Sequence, residues 1–322
     1  MLKTPKSLNL TLQNTPIIKI KPQKGTTLWL KRDDLTGIEL SGNKIRKLDF
    51  LIQEAIDQNS QGIITCGGLQ SNHCRAAAYA AIKAGLDVIL FLRGKPEERP
   101  TGNHFLNQLA GATIQYVTQE EYLKIDSIMG EKSEDLMSKN GNFYVIPEGG
   151  SNEIGAWGYI SCFNEIVQQI TDLKIAVDAI VVSTGSGGTH AGLLLGKLMA
   201  NSDIDIISIN VCDDSQFFKE KIKGIVDKFA DRYGEKFDIS YQDIYIFDGF
   251  TGEGYGITGK REVDIIRQFA RQEGIVLDPV YTAKAYLGLE TLIDQEIIDY
   301  KNVLFIHTGG IFGIFSYAEK FL

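Results

Sequence analysis

What this chain has little of narrows it first. Only four cysteines occur (Cys66, Cys74, Cys162 and Cys212), and none forms a CxxC pair. That spacing argues against a disulfide framework or a thiolate zinc site and for a reduced, cytoplasmic protein. No apolar run approaches the ~20 residues needed to span a bilayer. The first stretch, MLKTPKSLNLTLQNTP, lacks the apolar core of a signal peptide. Lysine and arginine are outnumbered by acids, 33 to 41, for a net charge of −8. A general nucleic-acid or anionic-membrane surface is therefore not expected. His73, His190 and His307 lie far apart without carboxylates at ligand spacing, so no metal site is expected either. Internal repeats, low-complexity tracts and Pro/Ser-rich linkers are all missing.

What remains is an ordinary globular composition, 43% hydrophobic and 23% charged, over 322 residues. That length is about two domains' worth. Short β-branched runs predict strands at 27–31, 62–65, 88–92, 113–117, 143–146, 179–183, 206–211, 244–247 and 303–307. Several, such as DAIVVS and NVLFIH, are almost wholly apolar, as strands buried on both faces are. Amphipathic stretches at 75–84, 191–200, 263–272 and 283–294 predict helices between them. The alternation predicts an α/β fold with mostly parallel sheets flanked by helices. Polar or glycine-rich clusters follow several strands (CGGLQSNH, PEGGSNE, STGSGGTHAG, HTGGIFG), and ligands in such folds sit beyond the carboxyl ends of strands.

The sharpest local signal is VVSTGSGGTHAGLLLG, residues 181–196. A buried strand runs into Gly185, Ser186, Gly187, Gly188 and Thr189 and then into a helix. Consecutive backbone N–H groups and a helix N-terminus make an anion cradle there. A dinucleotide fingerprint would need glycine where this chain has His190, and a Walker loop would need GK[ST]. Both common nucleotide readings fail at a defining position, which counts against a nucleotide-dependent dehydrogenase.

The stretch SGNKIRKLDFLIQEA (41–55) reads as a helix whose first turn carries Lys44, Arg46 and Lys47, against the helix dipole. Neighbouring cations and a helix N-terminus lower a lysine pKa, which suits an amine nucleophile at Lys44 with Lys47 one turn on near a phosphate. A solvated basic face is the plainer alternative. Arg46 receives no role on this reading.

SGNKIRKLDFL resembles the GGNKxRKLE segment of pyridoxal-phosphate enzymes of the tryptophan-synthase-β fold type, and within them the D-cysteine desulfhydrase and 1-aminocyclopropane-1-carboxylate (ACC) deaminase family. The resemblance covers nearly the whole chain: KRDDL (31–35), GNKIRKL (42–48), GGLQSNHCR (67–75), PEGGSN (147–152), TGSGGTHAGL (184–193), GYG (254–256), LDPVYTAKA (277–285) and HTGGIFGIF (307–315). It implies a fold type II enzyme with pyridoxal 5'-phosphate in the cleft between two domains, a large one from 1–45 with 157–322 and a small inserted one from 46–156. A homodimer acting on a small amino acid is the implied assembly.

Site roles follow position by position. Lys44 matches the lysine that joins the cofactor covalently and moves the α-proton. Lys47 and the amides of Gly185, Ser186, Gly187, Gly188 and Thr189 match phosphate contacts. Asn72 matches the partner of the cofactor's 3-hydroxyl oxygen. Ser71 matches a serine near the substrate carboxylate, sometimes given a proton-transfer role; it is also a good helix N-cap. Tyr255 matches the aromatic beside the cofactor ring, Tyr281 a substrate-facing tyrosine, and Thr308 the hydroxyl at the pyridine nitrogen. His73 falls among the substrate-side residues.

The family divides by chemistry. ACC lacks an α-hydrogen, and opening its ring demands a strong electron sink, which a carboxylate at the pyridine nitrogen favours. ACC deaminases carry Glu directly after the tyrosine of the PVY segment, where this chain has Thr282. With Thr282 and Thr308 at the ring nitrogen, β-elimination is expected: D-cysteine to pyruvate, sulfide and ammonia. ACC deamination and L-cysteate or D-serine elimination are the alternatives within the family, and a non-catalytic ligand-binding protein is the alternative outside it. Two segments depart from the family's pattern or carry no reading. DGFTGEGYG stands where the family reads close to VGPGYG, and 213–240 is a variable helical region.

Overall fold

A computed structural model describes residues 2–322 and contains two sheets. The larger has six strands: β1 (Ile17–Gln23), β2 (Thr26–Lys31), β7 (Ala179–Thr184), β8 (Asp205–Asn210), β9 (Tyr245–Phe247) and β10 (Asn302–Ile306), in the order β1-β2-β10-β7-β8-β9. The smaller has β3 (Gly62–Gly68), β4 (Asp87–Arg93), β5 (Thr113–Val117) and β6 (Phe143–Val145), in the order β5-β4-β3-β6. All pairings are parallel except β1 with β2. The nine predicted strands are present. β1 is the addition: IIKIKPQ carries Lys19, Lys21 and Pro22, which an antiparallel edge strand tolerates and a central one does not.

Every residue of β7 is buried, as its apolar run requires between two helical layers. Because β10 lies directly beside β7, with Val303 opposite Ala179, the loops after these two strands emerge side by side. Likewise β3 neighbours both β4 and β6, so the segments after Gly68, Arg93 and Val145 share one edge.

Helix Asn43–Asp57 joins the two halves. It packs its apolar stripe (Ile45, Leu48, Leu51, Ile52, Ala55) into the core and crosses helix Trp157–Leu173. The crossing is close. A Cβ on Gly158 would lie 2.4 Å from the carbonyl carbon and oxygen of Arg46, and backbone cannot swing aside as a side chain can. Gly158→Ala is therefore expected to destabilise the protein by about 1–3 kcal/mol, with a falling urea midpoint as the readout. The helix starts at Gly42, whose φ of 103° lies in the region that favours glycine, and no side chain caps it.

The three cations of the first turn have three fates. Arg46 is buried and bidentate on Asp33 (Nε to Oδ2 2.9 Å, Nη2 to Oδ1 2.8 Å), and Nη1 donates to Glu165 at 2.9 Å. Lys31 is also paired with Glu165, and Tyr159 donates to Asp33 at 2.7 Å. Two cations thus balance two acids inside the protein. Burial works to raise the Asp33 pKa, but Arg46 outweighs it and holds the carboxyl below its ordinary value. A solvated basic face is excluded, and Arg46, without a role in the sequence, locks the helix start to the turn after β2 and to helix Trp157–Leu173. Among the described residues no helix is long and apolar enough to cross a membrane.

Candidate active site

The loops after β7 and β10, the start of helix Asn43–Asp57 and the start of helix Asn72–Lys83 enclose about 370 Å³. Lys44, Asn72, Gly185, Ser186, Gly187, Thr189, Tyr281 and Thr308 all line this cavity, as do Asn43, Ser183 and Thr184. Eight residues picked from the sequence thus converge on one space. The eleven lining residues include no Asp or Glu.

Lys44 is half-buried and takes part in none of the ion pairs among the described residues. Desolvation lowers its pKa to about 8, and Glu148 opposes that shift without restoring it. Lys47 is fully buried. Its Nζ donates to Gly149 O at 3.2 Å and to Ser151 Oγ at 3.4 Å, and burial followed by repulsion from Lys44 pushes its pKa well down. Lys47 does not line the cavity. It reaches the glycine loop through Ser151, whose hydroxyl donates to Ser186 Oγ at 2.9 Å.

The loop itself turns at Gly187, φ 81°, directly before helix Gly188–Ala200, so the first free N–H groups of that helix face the cavity end. A Cβ on Gly185 would sit 2.8 Å from the Tyr281 ring, and one on Gly188 would sit 2.5 Å from Ser151 Oγ. Small residues here keep the cradle open and let Tyr281 lie across it. Asn43 Nδ2 donates to Thr189 Oγ1 at 3.1 Å, and Asn43 N donates to Thr308 O at 3.0 Å. The lysine-bearing helix is stitched to both loops through its first residue. Ser183 Oγ lies 3.4 Å from Thr308 Oγ1.

Ser71 caps helix Asn72–Lys83, accepting from Cys74 N at 3.1 Å. Asn72 Oδ1 accepts from Asn103 Nδ2 at 2.7 Å, which leaves the Asn72 amide donors for the cavity. Asn103 is wholly buried and also accepts from Arg75 Nε at 3.0 Å. Nothing in the sequence marked Asn103, because its partners lie about thirty residues away. Ser71 and Tyr255 do not line this cavity; with Tyr281 they line a second chamber of about 600 Å³, which meets the first at Tyr281. There Tyr255 Oη and Tyr281 Oη are 2.6 Å apart. Burial raises the Tyr281 pKa well above its ordinary value.

Besides Lys47, two further residues sit elsewhere than expected. His73 lines neither chamber. It is buried with Nε2 2.8 Å from Thr65 Oγ1, and burial followed by the Lys44 and Lys47 charges holds it neutral. Thr282 lines neither chamber also. Its hydroxyl donates to Asp278 Oδ1 at 2.7 Å and accepts from Asp278 N at 2.7 Å. Asp278 in turn accepts from the backbone N–H groups of Val280, Tyr281 and Thr282, so both side chains are consumed in the turn that starts helix Thr282–Asp294. Of the two threonines, Thr308 alone lines the cavity.

An amine outside every ion pair among the described residues, beside a glycine loop at a helix start and at the carboxyl ends of mostly parallel strands, is the arrangement of a pyridoxal-phosphate enzyme of fold type II. The pattern shared by such enzymes, described as pyridoxal-phosphate dependent enzyme, matches residues 8–309. A putative ACC deaminase of Thermotoga maritima is 42% identical over 97% of this chain and 99% of its own. The mitochondrial bifunctional D-cysteine desulfhydrase/ACC deaminase of Arabidopsis thaliana is 40% identical over 92% of this chain and 75% of its own. A crystal structure described as an ACC deaminase homologue superposes with a TM-score of 0.89 at 36% identity, covering 98% of this chain and 95% of the other. The chain belongs to the ACC deaminase/D-cysteine desulfhydrase family of pyridoxal-phosphate enzymes. The residues present fit that cofactor: an amine outside every ion pair among the described residues for its aldehyde, a glycine loop for its phosphate, and Thr308 in the same lining for its ring nitrogen.

Proposed function

We propose that this chain catalyses α,β-elimination on a small β-substituted amino acid, with D-cysteine giving pyruvate, sulfide and ammonia. The observation that carries the reading is the cavity lining, which offers the Thr308 hydroxyl and no carboxylate. When bound, pyridoxal phosphate supplies the electron sink for the pair released at the substrate's α-carbon. Without an acid to hold a proton on its ring nitrogen, that sink is weak. Weak sinks suit substrates whose β-substituent carries electrons away, and they suit the ring opening of ACC poorly.

On this reading Lys44 Nζ takes the α-proton, its low pKa keeping a useful neutral fraction near pH 8. The N-terminus of helix Asn72–Lys83, with Ser71 as its cap, receives the substrate carboxylate. Asn72, fixed by Asn103, donates to the cofactor's 3-oxygen. The loop from Gly185 to Thr189 holds the phosphate, and Lys47 supports that loop through Ser151. Tyr281, paired with Tyr255, stays protonated and faces the substrate. His73 keeps a supporting place behind Lys44. The domain division is read as 1–45 with 157–322 against 46–156, the assembly as a cytoplasmic homodimer.

Pyruvate released from D-cysteine and 2-oxobutanoate released from ACC, measured side by side on the holoenzyme, decide between the two activities. D-cysteine is expected to be turned over at least tenfold faster, a difference of about 1.4 kcal/mol in barrier. Turnover of ACC alone would overturn the reading.

A further inference from the structure

The second chamber contains one charged side chain among the residues that line it. Arg93, at the carboxyl end of β4, shares the wall with Gln70, Ser71, Tyr255, Tyr281 and Tyr317. Its guanidinium carbon lies 4.7 Å from the centre of the Tyr122 ring and 5.5 Å from that of Tyr255. Contact with two aromatic faces holds the group in place. Yet Arg93 takes part in none of the ion pairs and none of the side-chain hydrogen bonds among the described residues. The other buried or half-buried arginines behave differently: Arg32, Arg46, Arg75 and Arg267 spend N–H groups on carboxylates, carbonyls or an amide. An arginine fixed by its faces keeps its planar fork of N–H donors for something else. Tyr122, whose ring Arg93 covers, gives its own hydroxyl to Glu148 at 2.6 Å, and Glu148 forms no ion pair with Arg93.

We propose that Arg93 determines specificity at the β-position, binding an anionic β-substituent of the substrate in the chamber beside Tyr255 and Tyr281. This rests on the elimination reading above. The α-carboxylate goes to the N-terminus of helix Asn72–Lys83, on the side shared with the cofactor cavity. The β-substituent then extends into the second chamber, where Arg93 is the one charged side chain among the described residues that line it. With D-cysteine, the Cβ–S bond breaks with its electron pair on sulfur, and the hydrosulfide formed meets the guanidinium as an ion pair. The same site favours amino acids bearing a β-carboxylate or β-sulfonate and gives no advantage to ACC.

The test uses the holoenzyme, its Arg93→Met variant, which keeps an apolar stem against both rings, and Arg93→Lys, which keeps the charge. Binding of aspartate and of alanine, in both enantiomers, is followed by the change in cofactor absorbance. Arg93→Met is expected to weaken aspartate binding by about tenfold to a hundredfold while alanine binding moves less than about twofold, and Arg93→Lys to recover part of the loss. Equal weakening for both amino acids places Arg93 on the α-carboxylate and overturns the proposal, as does no change for either or no aspartate binding by the unaltered enzyme. A second arm measures pyruvate from D-cysteine, where kcat should fall at least tenfold in Arg93→Met, while α-proton exchange of alanine in deuterated water stays within about twofold. An unaltered enzyme that binds aspartate through Arg93 yet releases no pyruvate from D-cysteine would refute the elimination reading and leave the Arg93 assignment standing.

Discussion

Lys44→Ala is expected to remain folded and to lose turnover of D-cysteine by about 10⁴-fold or more, the scale seen when a covalent catalytic group is removed. Of the three basic residues in its turn, Lys44 alone lines the cavity. Arg46 is consumed by Asp33 and Glu165, and Lys47 is fully buried on Gly149 and Ser151. Stability should change little, because the removed amine makes no ion pair and its burial already disfavours the charge. The companion measurement is chemical. Borohydride reduction of the holoenzyme followed by peptide mapping should place the cofactor on Lys44, and a label on Lys47 would refute the assignment.

A pH profile sharpens this. Lowering a lysine pKa from 10.5 to about 8 raises its neutral fraction at pH 7 about 300-fold. Covalent attachment of pyridoxal phosphate to the apoprotein needs that neutral form. Its rate should climb about tenfold per pH unit up to about pH 8 and then level. A climb that continues to pH 10 would mean that Lys44 is not desolvated as its surroundings imply.

The second large effect concerns stability. Arg46→Ala is expected to cost about 3–5 kcal/mol, because it leaves Asp33 buried with its main cation gone. The urea midpoint at pH 7 measures it. The dependence on pH follows from the direction of the Asp33 shift. In the unaltered protein that carboxyl is held below 3.8, so its contribution is fully present above that value and is lost as pH falls through the lower folded value. In the variant, burial is the largest remaining influence and raises the carboxyl, so the variant gains stability as pH falls from 7 toward 4. The difference between the two proteins should therefore narrow with acid, and a difference that widened would locate the cost elsewhere. A loss of activity is expected alongside, since Arg46 anchors the turn that carries Lys44.

Much of this molecule could be read from its residues in order. Apolar runs such as AIVVST have one comfortable place, a strand covered on both faces, and β7 lies there. The loop from Gly185 to Thr189 is a local signal, because glycines and a following helix make an anion cradle whatever the rest of the chain does. Ser71 is local also: a serine before an alanine-rich helix caps it. β1 is the weak signal because its alternation, Ile18-Lys19-Ile20-Lys21, lasts only four residues and runs straight into Pro22.

What tertiary structure alone decided are the identities of long-range partners. Within SGNKIRKLDFL, Arg46 looks unbalanced in the sequence because its acids, Asp33 and Glu165, come 13 residues before it and 119 after it. Thr282 stands at an informative place in the sequence, yet its hydroxyl turns into the Asp278 turn and away from the cavity. Asn103 and Arg93 carry no motif at all. Their importance lies in what they touch or leave untouched, and a buried hydrogen bond or an unspent guanidinium is a property of packing, which no spacing along the chain encodes.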